Sequence, residues 1–320
     1  MKRGCVIGYD INEKGCQISY YDDSMEEPDT MMASSNNYLI PLVLGYFKDR
    51  WVFGKEAKRL AVAGEDCTET DLYGKAKRRE KVSLAGKTYD AVWLLAKYIS
   101  LTLQDFENIQ YLTFTTPETD VDMAKMLKGI GQHIGVDKEI INVQDYKESF
   151  CQYMIFQPKE LWQYESALFY CDEDRIKAYM LRRLRVDASH GMNSFVTVDE
   201  VANAQRKELE ALYPIMNKEK SPDESFKSMI ENVFEKKVIS SVYLTGEGFE
   251  KNWYPNSLRV LCNGRRAFMG NNLYSKGACY KSIRKCEPND DGPIYLDETK
   301  LTERICLRMR VDGQEGWYPL

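Results

Sequence analysis

From residue 111 the chain reads as a short strand that is β-branched and aromatic, runs straight into a helix, and emerges in a second strand at 139–142. Thr116 suits an N-cap and Pro117 the first helical position. Glu118 and Asp120 favour the positive helix end, and Met123, Leu127, Ile130 and Ile134 form one apolar face closed by Gly135. A strand, helix, strand unit of this kind places the chain in the α/β class. The flanking sequence continues the alternation.

Ahead of this unit, strands at 5–9 and 16–21 are separated by the polar turn 11–15, which makes a hairpin at the start. Runs at 38–44 and 50–53 read as a second pair of strands, joined across Lys48 and Asp49 and followed by a helical stretch opening at Gly54. Val92, Leu95, Ala96, Ile99 and Leu103 then recur at helical spacing. Behind the unit come a helix at 145–156, a hairpin made of 166–170 and 175–184, and a loop around Ser189, His190 and Gly191. Long helices are expected between 199 and 237, with their strongest apolar stripe at Phe226, Met229, Ile230, Val233 and Phe234. A strand at 238–244 ends in Thr245-Gly246-Glu247-Gly248, a strand at 258–261 follows, and 272–280 reads as a helix rich in small residues. After Cys286 the composition turns to a linker at 287–293, and the tail carries a strand at 305–311, a turn at 312–316 and a return strand beginning at Trp317.

Composition narrows the function classes. Hydrophobic residues at 43% and charged residues at 29% describe a folded globular chain. The net charge of −5 opposes a broad phosphate-backbone footprint, and the one dense basic stretch, Lys75-Ala76-Lys77-Arg78-Arg79, meets Glu80 at once, so nucleic acid is not the expected partner. The longest apolar run, 38–47, is broken by Pro41 and Gly45, and the first residues carry no apolar stretch of the secretory kind, so neither a membrane span nor export is expected. Nine cysteines at wide spacings with no Cys-x-x-Cys pair argue against a disulfide framework or zinc site and fit a reducing cytoplasm. His133 and His190 lack partners for a triad or a metal and read as structural.

Four stretches, in order, resemble the actin-like ATPase superfamily and in particular the ATPase domain of DnaK-type heat-shock chaperones. Val6-Ile7-Gly8-Tyr9-Asp10 is similar to the first phosphate motif, a strand ending in aspartate. Ile40-Pro41 with Val52-Phe53-Gly54-Lys55-Glu56-Ala57-Lys58 resembles the segment in which a Pro-containing strand precedes a Gly-x-x-Ala helix start. Leu112-Thr113-Phe114-Thr115-Thr116-Pro117 with Ile140-Ile141-Asn142 resembles the strand, Val-Pro helix and Ile-Asn-Glu-Pro segment. Val242-Tyr243-Leu244-Thr245-Gly246-Glu247-Gly248 with Gly277-Ala278 resembles the adenosine motif and second connecting helix. The likeness runs over about residues 4–285. It implies a duplicated ribonuclease-H-like, two-lobed α/β fold. On that plan 1–165 is the first lobe with an inserted subdomain at about 37–100, 166–286 the second lobe, and 287–320 a linker and the start of a β appendage. It also implies ATP or ADP with Mg²⁺ as cofactors, held between the lobes, with Asp10, Asp172 and Gly246 facing one cleft.

The loops depart from the family where phosphate chemistry is done. Glycine amides and hydroxyls of the first loop are replaced by Asn12, Glu13 and Lys14; Lys14 suits a phosphate and Glu13 repels one, and the same residues read equally as an ordinary polar hairpin turn. The second loop is Tyr170-Cys171-Asp172-Glu173-Asp174-Arg175, with acids in place of glycines. Asp172, with Asp10, is a candidate metal ligand, while adjacent acids in a tight turn are also simply solvated. Asp145 is the nearest candidate for the catalytic glutamate, against a plain helix N-cap. Gly246, Glu247 and Gly248 are candidates for nucleoside contact, against a Gly turn that only redirects the chain. Lys75 and Lys77 fall near the family's phosphate-reaching lysine and read as a solvated face. Asp10 and Gly246 favour a nucleotide-binding protein, and the altered loops favour a pseudo-ATPase interaction module acting on a protein partner. An active chaperone-like or filament-forming ATPase is the alternative.

Overall fold

The computed structural model describes residues 4–34, 37–184, 194–205, 221–287, 292–297, 306–311 and 314–319. They form a mixed α/β arrangement of two six-stranded sheets, three smaller sheets and eight α-helices. Strands β1 (Cys5–Ile11) and β2 (Gly15–Tyr21) make the opening hairpin, and β3 (Asp29–Thr30) and β4 (Ile40–Pro41) both pair with β2. An insertion follows, with β5 (Leu44–Phe47), β6 (Arg50–Phe53), α1 (Gly54–Val62), β7 (Thr68–Glu69), α2 (Leu72–Lys77), the hairpin β8 (Lys81–Leu84) and β9 (Lys87–Asp90), and α3 (Ala91–Thr102). The chain returns to the first sheet in β10 (Ile109–Thr116), α4 (Val121–His133) and β11 (Ile141–Asp145), and α5 (Tyr146–Ile155) leads out of it. The second sheet is built from β12 (Glu165–Cys171), β13 (Arg175–Leu184), β14 (Phe195–Gln205), α6 (Pro222–Phe234), β15 (Ile239–Thr245), α7 (Pro255–Leu261), β16 (Arg266–Met269), α8 (Leu273–Cys286) and β17 (Ile294–Tyr295). A separate antiparallel pair, β18 (Cys306–Val311) and β19 (Gln314–Pro319), ends the described chain.

The two large sheets repeat one plan. The first has the order β11-β10-β1-β2-β3, the second β16-β15-β12-β13-β14. In each, the hairpin is antiparallel, and the two later strands run parallel to its first strand. Even the irregularities coincide, since the parallel ladder slips between Cys5 and Val6 in one sheet and between Glu165 and Ser166 in the other.

Period-two alternation decides what each face meets. Ile7, Tyr9 and Ile11 of β1 enter a core with Leu95, Ile99, Leu127 and Ile130 of α3 and α4. Gly8, on the opposite face, lies under α8, where an added Cβ would stand 2.1 Å from the Ser275 carbonyl oxygen and 2.2 Å from the Cys279 nitrogen. The glycine therefore sets how closely α8 approaches the first sheet. In β12, Ala167, Phe169 and Cys171 pack with Phe226 and Ile230 of α6, while Leu168 shares a cluster with Phe150 and Met154 of α5. The helices are thus exchanged: α8, which follows the second sheet, covers β1, β2 and β10, and α5, which follows the first, packs on the second. They meet at Gly277, whose missing side chain would stand 2.0 Å from the Ser149 carbonyl oxygen.

Several elements differ from expectation. The ladder to β11 keeps Thr116 extended, its hydroxyl donates to the Glu118 carbonyl at 2.8 Å, and Asp120 caps α4 by accepting from Met123 N at 2.7 Å. Residues 258–261 are helical because Pro255 occupies the first turn and Asp223 of α6 accepts from the amides of Asn256 and Ser257 at 2.8 Å each. Residues 199–205 belong to β14, drawn into a ladder with β13, and the helix carrying the apolar stripe begins only at Pro222. Of the run 38–44, Ile40 and Pro41 pair with β2 and Leu44 opens β5. The return strand of the tail begins at Gln314, ahead of Trp317. The loop expected around His190 lies outside the described residues.

Candidate functional site

Because the sheets share a register, their first hairpin turns can be compared position by position. Asp10 and Tyr170 stand opposite Thr115 and Thr245, and Asn12 and Asp172 follow two residues later. Each turn is tied by its own side chain. The Asn12 Oδ1 accepts from Lys14 N at 2.9 Å and Gly15 N at 3.2 Å, and the Asp172 Oδ1 accepts from Asp174 N and Arg175 N at 2.8 Å each. Backbone bonds close the same loops, Asn12 N to Gly15 O at 3.0 Å and Asp172 N to Arg175 O at 3.1 Å. This is the side-chain-mimicked turn that Asn and Asp favour. Its consequence is chemical: the amides of Asn12, Lys14 and Gly15 in one turn and of Asp172, Asp174 and Arg175 in the other are already satisfied inside the loop.

Asp10 points to the α8 face of the first sheet and is 3% exposed. The Tyr146 hydroxyl donates to its Oδ1 at 2.8 Å and accepts from Asn12 Nδ2 at 3.0 Å. Burial pushes the Asp10 carboxyl up to about 7, with the Tyr146 hydrogen bond pulling partly the other way. Burial, then the nearby Asp10, holds the Tyr146 phenol well above its usual range. The Tyr146 ring stacks on Tyr274 of α8 with centroids 3.7 Å apart and planes 7° from parallel. Tyr170, the counterpart of Asp10, lies 6.5 Å from Tyr274. The rings of Tyr146, Tyr274 and Tyr170 therefore stand in succession between the ends of β1 and β12.

Charge also ties the first turn to the other sheet. Lys14 forms an ion pair with Glu247, just past the end of β15. Partial burial pulls the Lys14 ammonium down, but Glu247, with Glu173 and Asp172 behind it, outweighs this and its pKa is raised. The Gly-x-Gly turn serves the chain itself. Gly246 has φ 98°, and a Cβ there would stand 2.1 Å from the Cys171 carbonyl oxygen, while one at Gly248 would stand 2.3 Å from Cys171 Sγ. The free side of both glycines is thus taken by the β12–β13 turn, and Gly246 N donates to Asn271 Oδ1 at 3.0 Å.

Asp145 sits at the N-cap of α5, where its carboxylate accepts from Glu148 N at 2.8 Å. Asp172 is engaged with its own turn, and no group of three or more His, Cys, Asp or Glu is gathered as a cation site among the described residues. Lys75 pairs with Glu69 at 2.8 Å, and the Lys77 ammonium lies 5.9 Å from the centre of the Tyr73 ring. The structure thus brings Asp10 and Asn12 together through Tyr146, joins Lys14 to Glu247, and seats Gly246 and Gly248 on the residue before Asp172. Tyr146, Tyr274, Gly8 and Gly277 were not singled out from sequence as site residues. The signal available was an aromatic at the first position of each of two helices that follow a terminal strand, or one place beyond it.

No helix among the described residues is long and apolar enough to cross a membrane. A comparison with curated proteins gave no match. A family model described as Family of unknown function (DUF5716) C-terminal matches residues 27–298, a span that takes in the second turn and Gly246 and begins beyond the first hairpin. With well over half of its 320 residues matched, the chain belongs to the DUF5716 C-terminal family.

Proposed function

We propose that this protein is a duplicated ribonuclease-H-like, actin/DnaK-type module in which the nucleotide site has been replaced by an internal latch, and that it acts as a pseudo-ATPase interaction protein. The repeated order and directions of the two sheets support the architecture. One observation carries the function: in each turn two amides that could otherwise face phosphate are held by the turn's own side chain, Asn12 or Asp172. Phosphoryl transfer rests on positioned donors and Mg²⁺ around the phosphates. Here Lys14 is neutralised by Glu247, Asp10 is covered by Tyr146, and the second turn adds Asp172, Glu173 and Asp174, so the residues present do not fit a triphosphate. Protein side chains instead join the two lobes, and a protein partner is the ligand class left for a cytoplasmic module of this kind.

The second reading, an ATP-hydrolysing chaperone-like or filament-forming protein, draws on the buried Asp10 carboxyl, which a bound cation would return to its ionised form. Calorimetric titration with adenosine, ADP and ATP, each with and without Mg²⁺, separates the two. The latch reading expects no Mg²⁺-dependent binding and phosphate release at background. Tight, Mg²⁺-dependent ATP binding with turnover would establish the enzyme.

A further inference from the structure

Away from both turns, α3 and α4 enclose a groove of about 390 Å³ lined by Val92, Trp93, Ala96, Met126, Gly129 and Ile130. That volume lies within the roughly 300–1,000 Å³ of ligand sites. The floor is apolar, with Ala96, Met126 and Ile130 buried. The rim is cationic. Arg79, Lys125 and His133 border it, all three exposed, and none forms an ion pair among the described residues. The one acid on the rim, Asp90, accepts from the amides of Val92 and Trp93 as the cap of α3.

Gly129 has no evident structural reason. It lies inside α4, its φ is not positive, and a Cβ added there would meet nothing within 4 Å. A glycine in a helix interior is unfavourable relative to alanine, and a neighbouring position, Gly131, does have a reason, since its Cβ would stand 2.6 Å from Ile141 Cδ1. Lys125, Gly129 and His133 recur at a spacing of four and so share one stripe of α4, with the glycine as a notch between the lysine and the histidine. Beyond the notch the groove runs onto Trp93, which is 38% exposed and stacks on Tyr89 with centroids 5.5 Å apart, with Trp51 5.9 Å away. The groove is open and continues into an aromatic surface, which suits an extended segment better than a compact small molecule.

We infer that this groove binds a short acidic segment of a partner protein, one large apolar side chain entering over Gly129 while flanking carboxylates meet Lys125, His133 and Arg79. The inference stands apart from the latch and holds whether or not nucleotide binds. The test is selection of random peptides displayed on phage against the full chain, followed by anisotropy titration of the recovered peptides. Acidic sequences with an aromatic or leucine anchor should be enriched. Their affinity should fall at least tenfold in Gly129→Leu and in Lys125→Glu, and should weaken as salt rises. Gly129→Leu should melt at or above the wild-type temperature, because it removes a helix-interior glycine into open space, so its loss of binding is not a loss of fold. Recovery of no peptide, enrichment without acidic bias, or binding that survives Gly129→Leu would each overturn the inference. So would a dimer in sedimentation that Gly129→Leu dissociates, which would make a second copy of the chain the occupant.

Discussion

The two hairpin turns are built alike and loaded differently. Both close on an Asn or Asp that gathers two amides, and both lead out of a strand whose next-to-last residue faces the opposite half of the molecule. In the first that residue is a buried carboxyl, in the second the phenol of Tyr170. The second sheet forms the same ladder with a tyrosine there, so the backbone pattern does not require an acid. Asp10 is then a side chain the fold tolerates at a cost, whereas Asn12 and Asp172 are ones the turns use.

The largest expected effect follows from that asymmetry. The folded-state carboxyl of Asp10 is pushed up to about 7 from an ordinary 3.8, so between these values the folded chain holds a proton that the unfolded chain has released. Stability from this group is therefore present at low pH and lost as pH rises toward 7, by roughly 4 kcal/mol in the limit of full burial. Urea denaturation of the wild type and Asp10→Asn at pH 3.5 to 8 should show the gap between them widen in the variant's favour from about pH 4 to about pH 7 and level off above that. Parallel curves would mean that Asp10 is not the buried acid described here.

Next in size is Gly246→Val. The positive φ and the Cys171 carbonyl both oppose a branched side chain, and strain with overpacking should cost about 3 kcal/mol or more. The first half has no such dependence at the matching place, where Thr116 follows Thr115 as Gly246 follows Thr245. Thermal melts of Gly246→Val against Thr116→Val test this. A valine at Gly246 that melts within a degree or two of wild type would break the assignment of the glycine to the β12–β13 turn.

How much of this was legible in the sequence depended on distance along the chain. The opening hairpin, the 166–184 hairpin, the 238–244 strand and the small-residue helix at 272–280 are local patterns, and each has a counterpart in the structure within a few residues. Residues 258–261 read as a strand in the sequence because the bonds that start their helix come from Asp223, more than thirty positions away. Asp120 outcompeted Thr116 because pairing with β11 had already fixed the backbone of Thr116. Among candidate site residues, the polar-turn reading of Asn12 and the cap reading of Asp145 describe what their side chains do. The cover over Asp10 was not legible, since nothing adjacent in sequence announces that Tyr146 and Tyr274 will stack.

A smaller effect compares the ties of the two turns directly. Asn12→Ala and Asp172→Ala each remove an acceptor shared by two amides, and each should cost about 1–2 kcal/mol. The losses should be unequal in kind. Asn12 also donates to Tyr146, so its removal loosens the cover of Asp10, whereas Asp172→Ala removes one of the acids facing Lys14. Asn12→Ala should therefore change the pH dependence of stability and Asp172→Ala should change its salt dependence. Denaturation across pH and across salt, read on both variants, would sharpen the comparison, and identical profiles would dissolve it.

The ion pair between Lys14 and Glu247 is the smallest term, and it joins the first turn to the segment after β15. Its side chains are 45% and 39% exposed, so water and salt screen it, and an exposed pair contributes about 0.2–1 kcal/mol at most. A double-mutant cycle with Lys14→Ala and Glu247→Ala should give a coupling energy near the low end of that range. The coupling should vanish in molar salt, where the screening length shrinks to about 3 Å. The two halves would still be held by the Tyr146–Tyr274 stack, the Glu148–Lys281 pair at 2.9 Å and the close approach of Gly277 to Ser149, none of which involves Lys14. Neither single variant should therefore lower the melting temperature by more than a few degrees. A coupling well above 1 kcal/mol would mean that the pair is better shielded than its exposure implies, and that the first turn is held to the end of β15 by charge rather than only by α5 and α8.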